Sequence, residues 1–398
     1  MIIRAQRGVG LRVTAYSKQQ SYNLFMLLNG IFPPITTPFY PDGRIYFRKL
    51  EQNVEQYSRA PVAGIVVQGS TGEAILLSDE ERREVLKCAR EAAANEKVLI
   101  AGTGIESAIE TLRLTEYAAE LGYDVAMVRT PHYYKGQMAQ PANMLAFYRF
   151  VCDRSPLPVI IYNFPQATGY DLPAEIVIEL AEHPNLIGIK ESSGSIEKVQ
   201  KMVEGTRHIQ RSATVGETFA AVTGRMLKAA SAAQARVEAG ELVTVGALAG
   251  TAAETGPLTT PKSSSALQPS SAGVSMIGKL KTRRKEVGFQ VLVGAAHKLH
   301  PSLEAGAVGA ILAFADCAPT ACYEIYTAWK EGDAALAREK QERIAKAAER
   351  VVGALSIPGV KYAMDYNGYF GGTVRLPLLP LTAEKKAEVE QLLEKIRN

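Results

Sequence analysis

The chain has 398 residues, 47% of them hydrophobic and 22% charged, with a formal net charge of +4. That suits one large globular domain or two ordinary ones and excludes a mostly disordered protein, a collagen-like fibre and a coiled coil. The small charge does not point to nucleic acid or an anionic membrane, no apolar run approaches the length of a membrane span, and four scattered cysteines without a C-x-x-C pair argue against a disulfide scaffold or a structural zinc site.

Residues 1–28 carry Arg4, Arg7, Arg12 and Lys18 and no Asp or Glu. This reads as an unstructured leader, and its charge pattern is also that of a mitochondrial presequence. The expected compartment is the cytoplasm, with the mitochondrial matrix as the alternative. Beyond the leader, short β-branched runs alternate with helical stretches. The strands expected are Ile35–Thr37, Gly64–Val67, Val98–Ala101, Asp124–Val128, Val159–Tyr162, Leu186–Lys190, Phe289–Val293 and Val308–Ala313. Most are continuous apolar runs, the pattern of strands buried on both faces. Between them, Ser78-Asp79-Glu80-Glu81 is a capping box that opens a helix through about Ala93. Ala108–Leu121, Met144–Cys152 and a segment opened by Asp171-Leu172-Pro173 are further helices. Strand starts recur at the spacing of a βα unit, and eight of them predict a (β/α)8 barrel over residues 29–330. A doubly wound open sheet is the alternative, but no G-x-G-x-x-G follows the first strand.

The step from the sixth to the seventh strand is about 100 residues, roughly 70 more than one unit needs. The excess, residues 211–286, is rich in Ala, Ser, Thr and Gly and reads as a long low-complexity insertion. Its basic run Lys279-Leu280-Lys281-Thr282-Arg283-Arg284-Lys285 lacks interleaved aromatics and reads as a solvated loop. Because long loops cost little extra entropy to close, the barrel is expected to survive it. Residues 331–398 form a C-terminal helical extension, with helices expected at Asp333–Leu355 and Thr382–Arg397 after Pro319–Lys330.

In such a barrel, reactive groups sit at the C-terminal ends of the strands. Lys190 ends the apolar run Ile187-Gly188-Ile189, where burial disfavours an ammonium group and leaves an amine able to attack a ketone. The alternative is a lysine that reaches past the barrel rim to water. Tyr162 ends the neighbouring strand, about 4.8 Å away, on a face that would let its phenol reach that amine; it could equally be a core tyrosine. The loop Gly69-Ser70-Thr71-Gly72 offers N–H groups and hydroxyls suited to a carboxylate, or is an ordinary tight turn. Tyr133 lies in a polar loop where a core role is not expected. His297 and His300 are three apart without a third ligand at a suitable spacing, so no metal site is expected.

Taken together, Gly69-Ser70-Thr71-Gly72-Glu73, Tyr162-Asn163-x-Pro165 and Gly188-Ile189-Lys190-Glu191-Ser192 form a highly specific set. With Gly30-Ile31-Phe32-Pro33-Pro34-Ile35-Thr36-Thr37-Pro38-Phe39 and Ile357-Pro358-Gly359-Val360-Lys361 they resemble the dihydrodipicolinate synthase and N-acetylneuraminate lyase family of Schiff-base aldolases. The resemblance runs to Arg375 and covers most of the chain except the leader and the insertion. It implies that Lys190 attacks the keto carbon of pyruvate and that Tyr162 relays protons there. Ser70 would link Tyr162 to Tyr133, a relay tyrosine near the mouth, and Thr71 would hold the pyruvate carboxylate. Gly294 and Ile311 match backbone positions near the lysine, and Ser192 matches a hydroxyl offered to a second carboxylate. No cofactor is implied, and a homotetramer or homodimer is.

Two departures narrow the activity. Where the synthase of lysine biosynthesis has an arginine clamp after its tyrosine, this chain has Ala167. Where the sialic-acid lyase has an acidic pair after the seventh strand, this chain has Gly294-Ala295-Ala296-His297. The wording of the entry segment Ile31–Phe39, of Val67-Gln68-Gly69-Ser70, of Tyr133-Tyr134-Lys135-Gly136 and of Met364-Asp365-Tyr366-x-Gly368-Tyr369-Phe370-Gly371-Gly372 is most similar to 4-hydroxy-2-oxoglutarate aldolase, which forms pyruvate and glyoxylate. The expected function is therefore a 2-oxo-acid aldolase working through a lysine–pyruvate imine. The alternatives are condensation of pyruvate with aspartate semialdehyde, or a catalytically silent binding protein on the same scaffold.

Overall fold

The computed structural model describes residues 27–216, 275–277 and 280–396. Its parallel strands are β1 (Gly30–Phe32), β2 (Gly64–Val67), β3 (Val98–Gly102), β4 (Val125–Arg129), β5 (Val159–Asn163) and β6 (Leu186–Glu191), continued by β10 (Gln290–Val293) and β11 (Gly309–Ile311). Intervening strands β7 (Arg211–Gly216), β8 (Ser275–Ile277) and β9 (Leu280–Val287) form a separate antiparallel sheet. The eight parallel strands run in the order β1-β11-β10-β6-β5-β4-β3-β2. The two ends meet where Pro34 bridges Val66, with Ile35 N–H donating to Val66 O and Val66 N–H to Pro33 O, each at 3.0 Å. This is the expected (β/α)8 barrel. Its interior is filled by inward side chains, among them Phe32, Val66, Met127, Ile160, Leu292 and Ile311, as the two-residue period of buried strands requires.

Helices cover the outside. Ser78 caps Asp79–Ala92 in the expected reciprocal box with Glu81, and Ala108–Leu121 ends at Gly122, whose φ of 85° needs no Cβ. The helix expected around Met144–Cys152 extends over Pro141–Arg154, with proline in its first turn. Past the barrel, Pro319–Lys330 pairs with Ala334–Ala348, a π-helical turn Glu349–Ala354 follows, and Ser356–Tyr366 and Ala383–Leu393 complete the extension.

Three expectations change. The first strand is Gly30–Phe32 rather than Ile35–Thr37; Pro33 and Pro34 have no N–H to continue a ladder, so Ile35–Thr37 runs on as an irregular segment at the barrel mouth. Most of the expected leader lies outside the described residues, but its last two, Leu27 and Leu28, are buried, and Leu28 N–H donates to Gln290 Oε1 at 2.7 Å. The basic run expected as a solvated loop lies largely in β9, which pairs antiparallel with β7 from Arg211↔Val287 to Gly216↔Thr282. A ladder is decided by a partner about 70 residues away, which local composition does not reveal. Residues 217–274 of the insertion lie outside the described residues. Where β7 begins, the Arg211 guanidinium donates to the carbonyls of Leu186, Ala181 and His183, tying the ribbon beside the start of β6. The insertion therefore leaves from the N-terminal end of the barrel, opposite the face where such barrels do their chemistry.

Candidate active site

Lys190 and Tyr162 are register partners on β6 and β5, so their side chains emerge together at the C-terminal end of the barrel. Each is 4% exposed. The Lys190 Nζ lies 4.0 Å from the centroid of the Tyr162 ring, a cation–π distance. The Tyr162 hydroxyl lies 3.2 Å from Ser70 Oγ, which sits in the loop after β2. The Lys190 nitrogen is thus covered by the Tyr162 ring rather than lying in bulk water. Phe164 stacks on the Tyr162 ring at 5.9 Å between centroids and helps hold its plane.

Thr71 is buried beside Ser70. The loop that carries both is tightened by Gly72 N–H to Gly69 O at 3.1 Å and Glu73 N–H to Ser70 O at 3.0 Å. Across the mouth, Gly294 follows β10 and meets Ser192. A methyl group on Gly294 would fall 2.0 Å from Ser192 Oγ, so only glycine fits there. Ser192 Oγ is shielded from solvent and has no hydrogen-bond partner among the described residues. A buried hydroxyl in that state can receive a polar group of a ligand. Ile311 is buried in the barrel interior and pairs with Phe32.

Behind the two strands lies a polar network whose arrangement the sequence did not disclose. Asn163 Nδ2 donates to Glu191 Oε1 and Oε2 at 3.1 and 3.0 Å and to Asp171 Oδ1 at 2.7 Å, while Asn163 Oδ1 accepts Leu172 N–H at 3.0 Å. Glu191 also accepts Ser193 N–H at 2.6 Å and lies 3.2 Å from Lys198 Nζ. A buried carboxylate is tolerated when paired and bonded in this way. These bonds join the ends of β5 and β6 and so hold Tyr162 against Lys190.

A second buried charge pair supports the Gly69–Glu73 loop. Glu73 Oε1 lies 2.6 Å from Lys361 Nζ, and both side chains are almost wholly buried. Glu73 Oε2 accepts Arg375 N–H at 2.9 Å, and Lys361 donates to the carbonyls of Thr37 and Thr373 at 2.8 and 2.6 Å. Burial pulls the Lys361 ammonium below its usual range, and the Glu73 charge opposes that pull. The signal was present in the sequence: two motif segments carry opposite charges among apolar neighbours, and such charges need each other.

Of the expected site residues, the structure brings Lys190, Tyr162 and Ser70 into contact and sets Thr71, Ser192, Gly294 and Ile311 around the same end of the barrel. Tyr133 stands apart. It is 75% exposed, meets Tyr134 edge-on at 5.2 Å, and makes no hydrogen bond to Ser70 or Tyr162 among the described residues. His297 and His300 lie in the turn Ala296–Lys298 and the helix Leu299–Glu304, with His300 buried. Two residues that sequence reasoning passed over also border the site: Glu106, which holds the Tyr133 loop, and Asp316, fully buried after β11.

The family model described as the dihydrodipicolinate synthetase family matches residues 27–225 and 265–396, skipping the middle of the insertion. The chain is 27% identical over 370 residues to 4-hydroxy-tetrahydrodipicolinate synthase of Methanothrix thermoacetophila, covering 93% of this chain and 97% of that protein. It is 40% identical over 178 residues to the enzyme of the same name from Xanthomonas campestris, covering 45% of this chain and 58% of that one. Among solved structures it is similar to the dihydrodipicolinate synthase DapA-2 of Bacillus anthracis, with a TM-score of 0.69 at 21% identity, covering 94% and 100% of the two chains. It is equally similar to the chloride-inhibited dihydrodipicolinate synthase of Acinetobacter baumannii complexed with pyruvate, with a TM-score of 0.69 at 24% identity, covering 93% and 99%.

Proposed function

The chain belongs to the dihydrodipicolinate synthetase family of lyases, and from that premise we propose that it carries pyruvate as an imine on Lys190. The observation that carries this reading is the Lys190 amine held over the Tyr162 ring, with the phenol in contact with Ser70. The amine adds to the keto carbon of a 2-oxo acid. Tyr162 passes a proton to the departing oxygen, water leaves, and an iminium remains. A base removes the proton of the C4 hydroxyl, the C3–C4 bond breaks, and its electron pair flows into the iminium to give an enamine and an aldehyde. Protonation at C3 and hydrolysis then release pyruvate and the free lysine. The iminium is itself the electron sink. Thr71 and its loop take the pyruvate carboxylate, with Gly294 and Ile311 lining the space. The pyruvate bound in the Acinetobacter baumannii relative supports this substrate class.

For the second product the reading is an aldolase that cleaves 4-hydroxy-2-oxoglutarate to pyruvate and glyoxylate. It is supported by Ala167, which offers no guanidinium fork to an incoming carboxylate, and by the unpartnered Ser192 hydroxyl. The names of the relatives favour a second reading, condensation of pyruvate with aspartate semialdehyde. The working unit is a homodimer or homotetramer; exposed Tyr133, Tyr134, Ile75 and Ile109 around the mouth support association. Borohydride reduction in the presence of pyruvate is expected to fix an adduct on Lys190 that disappears in Lys190→Ala. Folded protein without an adduct would count for a silent binding protein. Comparing cleavage of 4-hydroxy-2-oxoglutarate with consumption of aspartate semialdehyde decides between the two activities, and faster turnover of the semialdehyde selects the second.

A further inference from the structure

A single carboxylate holds the loop that follows β4. Glu106 lies in the loop after β3, and its Oε2 accepts the backbone N–H groups of His132 at 3.0 Å and Tyr133 at 3.1 Å. Its Oε1 lies 3.5 Å from an Arg129 guanidinium nitrogen and 2.6 Å from His132 Nδ1, the latter at an angle that does not make a hydrogen bond. These contacts run from the last residue of β4 to the rim. Bonds of this kind, from N–H donors to an ionised acceptor, are roughly twice as strong as neutral ones. On the other side of Tyr133, Tyr134 caps the short helical turn Lys135–Met138, and its carbonyl accepts Gln137 N–H at 3.0 Å and Met138 N–H at 2.9 Å. The backbone of Tyr133 is thus fixed from both directions while its ring stands 75% exposed. The Glu106 bond to the Tyr133 N–H fixes the backbone from which that ring projects.

We propose that Glu106 is a positioning residue for Tyr133: its carboxylate clamps the backbone of residues 132–133 and so sets how the exposed phenol is presented to the proton relay. This inference rests on the reading of Lys190, Tyr162, Ser70 and Tyr133 given above. Burial holds the His132 imidazole below its usual range, against the pull of Glu106, so near neutral pH the formal charge partner of Glu106 is Arg129. The clamp is made of backbone bonds and one guanidinium, and it touches neither Lys190 nor Ser70.

The test compares the full-length wild type with Glu106→Ala, Glu106→Gln, Tyr133→Phe and the double variant Glu106→Ala/Tyr133→Phe. For each, kcat and KM for the 2-oxo-acid substrate, borohydride trapping with pyruvate, and the melting temperature are measured. Glu106→Ala is expected to lower kcat about tenfold or more, up to the roughly 10²–10⁴-fold that loss of an acid–base group typically costs, with KM changed by no more than roughly threefold. The double variant is expected to be no slower than Tyr133→Phe, because both changes remove the same contribution. Glu106→Gln keeps an oxygen for the two N–H groups and is expected to recover most of the rate. A wild-type rate for Glu106→Ala, or a double variant whose loss is the product of the two single losses, overturns the proposal. So does a wild-type rate for Tyr133→Phe. Failure of the wild type to trap pyruvate is a different result, since it removes the imine reading itself.

Discussion

Asp316 lies five residues beyond Ile311 of β11 with its side chain fully buried, and neither carboxyl oxygen has a hydrogen-bond partner among the described residues. Burial pushes its pKa well above the ordinary carboxyl value, against an opposing pull from the Lys190 charge. The native state therefore keeps a proton that the unfolded chain gives up near pH 4. Where the native state binds more protons than the unfolded one, stability falls as pH rises, from the unfolded pKa up to the raised native one. Each unit of the shift corresponds to about 1.4 kcal/mol. Asp316→Asn removes this dependence, so its melting temperature relative to wild type is expected to be higher at pH 7 than at pH 4. Thermal unfolding at the two pH values checks this; the same difference at both would refute it. Lys190 was legible in the sequence because it ends a run of buried strand residues. Asp316 was not: Ala313-Phe314-Ala315-Asp316-Cys317 announces burial, but not the lysine that the carboxyl comes to face.

At the scale of elements, the helix Ser356–Tyr366 and the segment after it are bound to the barrel mouth through the Glu73–Lys361 pair and the Arg375 bonds to Glu81 at 2.7 and 2.8 Å. Removing one member of a buried pair leaves the other charged and unpaired, at a cost of about 3–5 kcal/mol. Lys361→Met is expected to destabilise the fold by about that much in urea unfolding, and Lys361→Met/Glu73→Gln to recover part of it. A loss in the double variant as large as the sum of the two single losses would mean that the pair is not coupled. Elements with local signals were read well: the Ser78 capping box and the Ala108–Leu121 helix needed only their own residues. The first strand was misplaced because β-branched Ile35–Thr37 has the right composition, whereas the ladder partner Gly309–Ile311 chooses Gly30–Phe32. The helix Ser356–Tyr366 was missed: Pro358 and Gly359 mask it in the sequence, but they lie in its first turn, where proline's missing N–H is no loss.

At the scale of the whole molecule, the insertion leaves and rejoins the barrel at a single antiparallel pair, Arg211↔Val287, on the end away from Lys190. Neighbouring ends can be joined by a two-residue turn. Replacing residues 215–283 with Asn-Gly is therefore expected to leave the circular dichroism of the barrel and the pyruvate trapping on Lys190 unchanged. Loss of trapping in a folded shortened protein would show that the insertion reaches the active end. The amino-acid order alone determined the barrel, its helical extension and the candidate chemistry at the ends of β2, β5 and β6, because strand burial, caps and short motifs are encoded within a few residues of each other. The tertiary structure alone decided where β1 starts, that β9 pairs with β7, that Glu73 faces Lys361 and that Glu106 grips the Tyr133 loop. Each of those joins residues far apart in the chain, and such pairings are selected by the burial and hydrogen bonding of the folded whole rather than by local preference.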